Sequence, residues 1–243
     1  MKAMLTKSRN IIHLWKALYL QPTVTRSIKW KTDILQNTKV SKDHLTPEIQ
    51  LRLITPECDL FHRPITTNQE KVFENDPFWG FYWPGGQAIS RWLLDNKNVV
   101  RAKTVLDFGS GSGACSVAAM MAGAKKAVAN DIDPVAAVSA EINAELNGIQ
   151  LTTCTNNRIG EDCEENLILV GDVFYDDEIA GLIIPWLEKL RLSGKEILIG
   201  DPGRHGLTVD RQKLLTKLAT YELPENACIE NHGFKFVNVW RFK

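Results

Sequence analysis

Val105-Leu-Asp-Phe-Gly-Ser-Gly-Ser-Gly113 is the stretch of sequence that decides the fold of this chain. It begins with the largely apolar pattern of a buried strand, three glycines follow at alternate positions, and a run of small residues comes next. Glycine lets the backbone turn tightly and approach a ligand closely. A strand that passes through such a turn into a helix is typical of the ligand-binding edge of an open α/β sheet. The stretch therefore predicts a site for a nucleotide-type ligand at the end of this strand.

Two acids indicate which ligand fits the glycine turn. Asp131 ends the next predicted strand, eighteen residues after the last glycine, and can accept hydrogen bonds from both hydroxyls of a ribose. Asp107 stands two residues before the first glycine, where its carboxylate would repel the pyrophosphate of NAD. The same carboxylate suits S-adenosylmethionine, which carries an ammonium and a sulfonium and has no phosphate. S-adenosylmethionine is favoured, and NAD stays as an alternative because Gly109, Gly111 and Ala114 also satisfy the looser dinucleotide pattern.

Strands and helices alternate from Lys103 onward, which predicts crossover connections and a mostly parallel sheet. The predicted strands are Thr104–Phe108, Ala127–Asp131, Leu151–Asn156, Leu167–Asp172, Glu196–Asp201 and Lys235–Phe242. The predicted helices are Gln87–Asp95, Ala114–Ala122, Pro134–Leu146, Asp177–Leu190 and Val209–Tyr221. The last strand is expected to enter antiparallel, as an edge. Farther upstream, the second half of the stretch 46–56 is predicted to be extended.

Four of the predicted strands carry an aspartate at or beside the carboxyl end: Asp107, Asp131, Asp172 and Asp201. This is the edge at which doubly wound sheets bind their ligands. A single aspartate there is often a helix N-cap. Four of them beside a glycine turn would instead surround the site with negative charge, which matches a cationic cofactor and a basic substrate.

Gly171-Asp-Val-Phe-Tyr-Asp176 follows the fourth predicted strand, directly beside the glycine turn. Methyl transfer to nitrogen needs an uncharged amine, so a lysine with an ordinary pKa of about 10.4 must lose its proton before it attacks. Asp172 is a candidate to orient that amine or to take its proton, and Tyr175 is a candidate to line the acceptor channel. The alternative is that Asp172 caps a turn and Tyr175 belongs to the core.

An aromatic cluster ends in a second glycine turn at Trp83-Pro84-Gly85-Gly86. Its rings are candidates to flank the adenine of the cofactor or to close the pocket over a lysine side chain. Core packing of two of these rings is the alternative. The rings are Trp79, Phe81, Tyr82 and Trp83.

The Gly200-Asp-Pro-Gly-Arg204 turn offers an acid and a cation at the same edge, or else it is a tight loop with an incidental Arg204. No pair among the five histidines has the spacing of metal ligands, and no G-x-S-x-G motif is present. Neither a metalloenzyme nor a hydrolase is therefore indicated. No run approaches eighteen apolar residues, so no membrane span is expected either.

The composition fits one enzyme-sized domain in a reducing compartment. With 243 residues, 44% of them apolar, the chain can bury a full core without cross-links. Its five cysteines are scattered, odd in number and without a C-x-x-C pair, which argues against a zinc site or a disulfide framework. They are Cys58, Cys115, Cys154, Cys163 and Cys228.

Charge is distributed unevenly along the chain. Residues 1–32 hold seven bases and no acid, a composition that resembles a mitochondrial transit peptide, with a basic disordered arm as the alternative. The remaining residues hold 22 bases and 29 acids, a net charge of −7. A net-negative body argues against broad binding of nucleic acid, which needs clustered positive charge.

Three motifs in order carry a family resemblance: Asp107-x-Gly-x-Gly-x-Gly113, Asn130-Asp-Ile-Asp-Pro134 and Gly171-Asp-Val-Phe-Tyr175. With them the chain resembles the seven-β-strand (class I) methyltransferases, within the protein-lysine branch that carries D-x-x-Y/F after the fourth strand. The likeness runs roughly over residues 42–202 and includes longer matching words. These are Asp76-Pro-Phe-Trp, Tyr82-Trp-Pro-Gly-Gly-Gln87 and Ile199-Gly-Asp-Pro-Gly-Arg204.

The resemblance implies a doubly wound, mostly parallel seven-stranded sheet, a Rossmann-like methyltransferase fold with an N-terminal extension. It implies S-adenosylmethionine as cofactor and a lysine of a mitochondrial protein as acceptor. Residues 1–32 are then a leader, 33–100 an extension that packs on the core, and 101–243 the methyltransferase core. A methyltransferase for another mitochondrial or ribosomal protein, or a non-catalytic module that keeps the fold, stays open.

The resemblance also assigns residues to roles. Asp172 carries over as the motif acid needed for activity, with Tyr175 beside it. Asn156 is expected near the adenine. The predicted cofactor contacts are Asp107, Gly109, Gly111, Gly113, Asp131, Asn156 and Trp83.

Overall fold

A computed structural model describes residues 24–63, 71–225 and 233–243. Most of the predicted leader and Cys228 lie outside these ranges, so the transit-peptide assignment stays a prediction. The first described helix, α1 (Val24–Asn37), runs through position 32 without a break. The proposed boundary at residue 32 therefore does not coincide with the end of an element.

Short elements precede the main sheet. Strands β1 (Lys39–Ser41) and β2 (Leu51–Leu53) pair antiparallel, which confirms the extended segment predicted there. Helix α2 and a 3₁₀ turn then lead to helix α3, and a second 3₁₀ turn follows it. Their bounds are α2 Asp59–His62, 3₁₀ Phe78–Gly80, α3 Pro84–Asp95 and 3₁₀ Lys97–Val99.

The main sheet has seven strands. They are β3 Thr104–Phe108, β4 Lys126–Asn130, β5 Thr152–Cys154, β6 Leu167–Gly171, β7 Glu196–Asp201, β8 Leu215–Glu222 and β9 Phe236–Phe242. Their order in the sheet is β5-β4-β3-β6-β7-β9-β8. The first five strands are parallel, and β9 and β8 enter antiparallel. The doubly wound, mostly parallel seven-stranded fold is thus confirmed. The helices between them are α4 Ala114–Met121, α5 Pro134–Leu146, α6 Asp177–Leu192 and α7 Val209–Gln212.

One predicted helix is wrong over most of its length. The prediction extended it over Val209–Tyr221, but α7 ends at Gln212 and β8 takes the rest. The leucines, lysines and alanine of this stretch favour a helix locally. The stretch forms a strand instead, because one side of β9 is open and β8 pairs with it antiparallel. This pairing satisfies the backbone hydrogen-bonding groups of both strands. Consequently β8 is the edge strand and β9, expected at the edge, lies inside the sheet.

Helices cover both faces of the sheet, so its central strands are buried on both sides. In β6, Leu167 and Leu169 pack into the core beneath α3 and α4, whereas Ile168 and Val170 pack into the core beneath α6. Alternate residues of a strand point to opposite faces. A strand covered twice therefore reads as a continuous apolar run.

Helix α1 packs on α5 outside the sheet. Ile34 is completely buried and shares a cluster with Val138 and Ile142 of α5 and with Trp79. No helix among the described residues is long and apolar enough to cross a membrane.

Candidate active site

The glycine turn between β3 and α4 forms the centre of the candidate site. Gly109, Gly111 and Gly113 have φ angles of 68°, 50° and 76°, a region that disfavours residues with a Cβ. At Gly113 a Cβ would also lie 2.6 Å from the Cβ of Ala140 on α5. The turn therefore needs glycine both for its conformation and for the approach of the neighbouring helix.

Asp107 is buried beneath this turn. Its Oδ2 accepts hydrogen bonds from the backbone N–H and the hydroxyl of Ser116, both at 2.9 Å, in the first turn of α4. Burial raises the pKa of Asp107 to about 7, with the charge of Asp131 as a smaller contribution, while the bonds from Ser116 oppose the rise. Asp107 thus fixes the start of α4 through one oxygen, and its charge is sensitive to a nearby cation.

Asp131 follows β4 and closes the glycine turn from the other side. Its Oδ2 accepts from the N–H of Gly111 at 2.9 Å and its Oδ1 from that of Asp133 at 3.0 Å. A carboxylate has about four acceptor positions, so each oxygen keeps capacity for a further donor. Two neighbouring hydroxyls, as on a ribose, are donors of the kind that this arrangement can accept.

Asn156 lies in the loop after β5, with an exposed side chain. Its backbone carbonyl accepts from the Nδ2 of Asn130 at 2.9 Å, and the same Nδ2 donates to the carbonyl of Cys154 at 3.0 Å. The buried Asn130 thereby fixes the position of this loop beside the end of β4. Asn156 thus lies two residues beyond β5, which ends at Cys154 and not at Asn156 as predicted, and its place near the adenine stays a prediction.

Asp172 follows β6 directly, with an unusual backbone. Its φ of 59° lies in the left-handed region. Its Oδ2 accepts from the N–H of Gly86 at 3.0 Å, in the first turn of α3. The N-cap of α3, Trp83, makes no side-chain capping bond, so Asp172 provides the acceptor that this helix end lacks.

Arg204 meets the other oxygen of Asp172. Its Nε and Nη2 lie 2.9 and 2.8 Å from Oδ1, and its guanidinium carbon is 5.5 Å from the ring centroid of Trp83. Burial raises the pKa of Asp172, while the charge of Arg204 and its hydrogen bonds oppose the rise. The turn after β7 therefore contributes a cation to the acid that follows β6.

Asp201 ends β7 in the interior. Its side chain is fully buried, and its Oδ1 accepts from the N–H groups of Gly203 and Arg204 at 2.6 and 2.7 Å. Its Oδ2 has no partner among the described residues. Burial, and secondarily the charge of Asp172, raises the pKa of Asp201 to about 6.

The aromatic cluster divides into two parts. Trp79 and Tyr82 are buried, so core packing is the correct interpretation for two of the four rings. Phe81 and Trp83 are partly exposed, with ring centroids 5.6 Å apart, and the Nε1 of Trp83 donates to the carbonyl of Phe78 at 2.9 Å. The ring of Phe78, 45% exposed, lies 6.3 Å from that of Trp83.

Tyr175 is not a core residue, because 38% of it is exposed. Burial of the remainder raises the pKa of its hydroxyl to about 12, with smaller contributions from the charges of Asp176 and Asp131. The phenol is therefore a neutral group at neutral pH. Its exposure and its closeness to Asp131 suit the wall of a channel better than the interior.

All four aspartates at this edge accept backbone N–H groups, so each also stabilises a turn or a helix end. The pKa of each is raised, chiefly by burial. Among the described residues, Arg204 forms an ion pair with one of them, Asp172. Acids that are desolvated together favour a cation in the space between them. No cluster of three metal-binding side chains occurs in the described ranges.

Comparison with known proteins identifies the family. A family model described as ribosomal protein L11 methyltransferase (PrmA) matches residues 89–174. Electron transfer flavoprotein beta subunit lysine methyltransferases of Xenopus laevis and Mus musculus are each 43% identical to this chain, over 92% and 93% of it and 91% and 89% of their own lengths. This chain belongs to the electron transfer flavoprotein β-subunit lysine methyltransferase family. A crystal structure of ribosomal protein L11 methylase from Lactobacillus delbrueckii subsp. bulgaricus matches with a TM-score of 0.47 and 21% identity, covering 79% of this chain and 95% of that one.

Membership of the electron transfer flavoprotein β-subunit lysine methyltransferase family confirms the resemblance that the motifs carry, and the chain is a methyltransferase. The family name decides against the NAD alternative and against a non-catalytic module. The individual site residues stay predictions, now with positions: Asp107, Asp131 and the glycines on one side of the edge, Asp172 and Trp83 on the other.

Sequence reasoning missed the partners that fix these acids in this member of the family. Ser116 gave no signal, because a serine in a helix of small residues is common. Arg204 was visible as a cation after a strand, but its pairing with Asp172 joins two loops 32 residues apart. The segment Gly200-Asp-Pro-Gly-Arg204 was the one local feature of the sequence that indicated this contact.

Proposed function

We propose that this chain transfers a methyl group from S-adenosylmethionine to a lysine of the β subunit of electron transfer flavoprotein, in the mitochondrial matrix. The observation that carries the proposal is the 42–43% identity, over about nine-tenths of the chain, to methyltransferases of frog, mouse and human that are named for this substrate. The site that the sequence motifs define contains the side chains that this chemistry needs.

The residues present fit this cofactor. The turn of Gly109, Gly111 and Gly113 lets the backbone approach a ligand, and Asp131 keeps acceptor capacity on both oxygens for the ribose hydroxyls. The buried Asp107 has a raised pKa that a nearby ammonium would lower. When bound, S-adenosylmethionine supplies an electrophilic methyl group on a sulfonium and leaves as S-adenosylhomocysteine.

On the acceptor side, Asp172 is the charged group that a lysine meets. Its carboxylate is fixed by Gly86 and Arg204, so its charge is in place before the substrate arrives. It can attract the protonated lysine and, once the ammonium has given its proton to water, orient the neutral nitrogen towards the methyl group. Trp83, Phe81 and Tyr175 provide aromatic surface for the apolar part of a lysine side chain.

Positioning supplies much of the catalysis in this scheme. A fixed acceptor nitrogen needs little further ordering to reach the methyl group. Low-dielectric surroundings also lower the pKa of an amine, which favours its uncharged form. The burial of Asp107, Asp172 and Asp201 indicates such surroundings at this edge, whereas their negative charges act in the opposite direction and favour the protonated amine.

Incubation of the purified chain with recombinant electron transfer flavoprotein and tritiated S-adenosylmethionine tests the substrate. We expect label in the β subunit and none in the α subunit. A mitochondrial extract serves as a parallel sample. Label in a ribosomal protein or another band, with none in the β subunit, would replace the proposed substrate but keep the methyltransferase.

Matrix localisation is supported by the seven bases and the absence of acids in residues 1–32. A fluorescent fusion of this segment should enter mitochondria. The matched control changes Lys2, Lys7, Arg9 and Lys16 to glutamine and should stay in the cytosol. Cytosolic fluorescence of the unmodified fusion would remove the localisation without affecting the activity.

A further inference from the structure

We propose that Arg204 is a positioning residue of the acceptor site, which fixes the carboxylate of Asp172 and the ring of Trp83 relative to each other. This inference rests on the proposed function. It goes beyond that function because it assigns a role to a residue of the turn after β7, outside the motif that carries the acid. It also predicts behaviour that a merely structural arginine would not show.

The contact between Arg204 and Asp172 is a fixed one. Nε and Nη2 both donate to Oδ1, at 2.9 and 2.8 Å. The two side chains are 13% and 7% exposed, so water competes little for the bonds. Charge-assisted bonds of this kind are shorter and stronger than neutral ones.

Asp172 is held from the opposite side as well. Its Oδ2 accepts a hydrogen bond from the N–H of Gly86. The backbone of Asp172 has a φ angle of 59°, in the left-handed region. Such a conformation costs energy in a residue with a Cβ and persists where surrounding contacts determine it. Arg204 is one of those contacts, so its loss should free the carboxylate to move.

Trp83 is the second partner of Arg204. The guanidinium carbon lies 5.5 Å from the ring centroid of Trp83, within the range of a cation–π contact. The Nε1 of Trp83 donates to the carbonyl of Phe78, which fixes the ring from the other end. Arg204 therefore joins an acid from β6 to an aromatic ring from the start of α3.

The backbone of Arg204 is anchored too. Its N–H and that of Gly203 donate to the Oδ1 of the fully buried Asp201, at 2.7 and 2.6 Å. An arginine tethered at its own backbone N–H is suited to a permanent support. This favours a support over a gate that swings aside for the substrate.

The electrostatic consequence has a definite sign. Within the part of the chain that the structure describes, the titratable groups that interact with Asp172 are Arg204, Asp201 and Cys115. Burial raises the pKa of Asp172, and the charge and hydrogen bonds of Arg204 oppose the rise. The charge of Asp172 in turn raises the pKa of Asp201. Removal of Arg204 should therefore raise the pKa of Asp172 further, and the carboxylate form should be lost at a higher pH.

The experiment compares Arg204→Gln and Arg204→Lys with Arg91→Gln as matched control. Arg91 also forms an ion pair with two hydrogen bonds, to Asp95, and is similarly buried, but at the far end of α3. We expect Arg204→Gln to lower kcat about 10- to 100-fold, with cofactor affinity nearly unchanged. The acidic limb of its pH profile should move to higher pH, and Arg204→Lys should lie between it and the wild type. Arg91→Gln should keep the wild-type rate and profile.

A thermal cycle tests the same contact without any substrate. If Arg204 and Asp172 act as one unit, the effects of Arg204→Gln and Asp172→Asn on Tm should not add. The loss of Tm in the double variant should be smaller, by at least about 2 °C, than the sum of the losses in the two single variants. Additive changes in Tm, or a wild-type rate and pH profile in Arg204→Gln, would overturn the inference. Failure of the wild-type protein to label the β subunit would instead count against the proposed function. The thermal cycle needs no substrate, so its result does not depend on that assay.

Discussion

Gly85 and Gly200 lie so close together that a Cβ on either residue would be 2.1 Å from the carbonyl oxygen of the other. Gly85 is in the first turn of α3, and Gly200 is the penultimate residue of β7. Backbone thus packs on backbone at this point. The contact seats the start of α3 on the sheet edge, within reach of the Asp172 carboxylate.

Gly85→Ala should consequently displace α3 and lower both stability and activity. The Cβ would meet a backbone carbonyl, which cannot turn away as a flexible side chain can. We expect a loss of about 1–3 kcal/mol in the free energy of unfolding, the usual cost of overpacking. Gly181→Ala is the control, because no atom beyond its chain neighbours and the backbone of its own helix lies within 4 Å of its Cβ position in α6. Urea unfolding should show that variant to be as stable as wild type or about 0.4–1 kcal/mol more so.

Asp172→Ala should lose methyl transfer by a factor on the order of 10² or more, as is typical when a positioned acid–base group is removed. Binding of S-adenosylmethionine, measured by calorimetry, should fall much less. Asp177→Asn is a suitable control, since this exposed acid pairs with Arg211 outside the site. A folded Asp172→Ala protein that methylates its substrate at the wild-type rate would mean that Asp172 serves only as a cap for α3.

Asp131→Ala should weaken S-adenosylmethionine by roughly 1.5–3 kcal/mol, the range for hydrogen bonds to a charged group. The physical reason is loss of the acceptors that lie beside Gly111. Asp133→Asn controls for local charge, because asparagine can still cap α5 where Asp133 now accepts from the N–H of Val135. Equal affinities for Asp131→Ala and wild type would show that this acid does not hold the ribose.

Asp107 should make the stability of the unliganded protein depend on pH. Its pKa is raised to about 7 in the folded state, above the value of about 3.9 expected when unfolded. Between these values the unfolded chain has released the proton and the folded chain retains it, so the contribution of Asp107 to stability falls as pH rises from about 4 to 7.

Asp107→Asn removes this titration and keeps an acceptor for Ser116. The difference in Tm, variant minus wild type, should therefore be more positive at pH 7.5 than at pH 5. The measurement is a pair of melting curves at each pH. A difference that is the same at both values would show that Asp107 is ionised throughout.

The glycine turn, the alternating elements and the motif order determined the fold class and the family from the sequence alone. These features are local: a buried parallel strand reads as an apolar run, and a tight turn needs glycine at set positions. Four acids at one edge followed from the same logic, because parallel strands end together. For Trp79 and Tyr82 the sequence left two alternatives, a place in the core or a place in the pocket. Neighbouring aromatic residues are equally suited to both.

Only the tertiary structure decided which groups those acids contact. β8 is a strand because β9 offers it a pairing edge, although its composition suits a helix. Asp172 is fixed by Gly86 and Arg204, which lie 86 and 32 residues away along the chain. Such contacts depend on where loops meet in space, and local pattern carries little information about that. The sequence therefore indicated which chemistry the edge can hold, and the packing of distant turns determined that Asp172 is the acid of the four that pairs with an arginine.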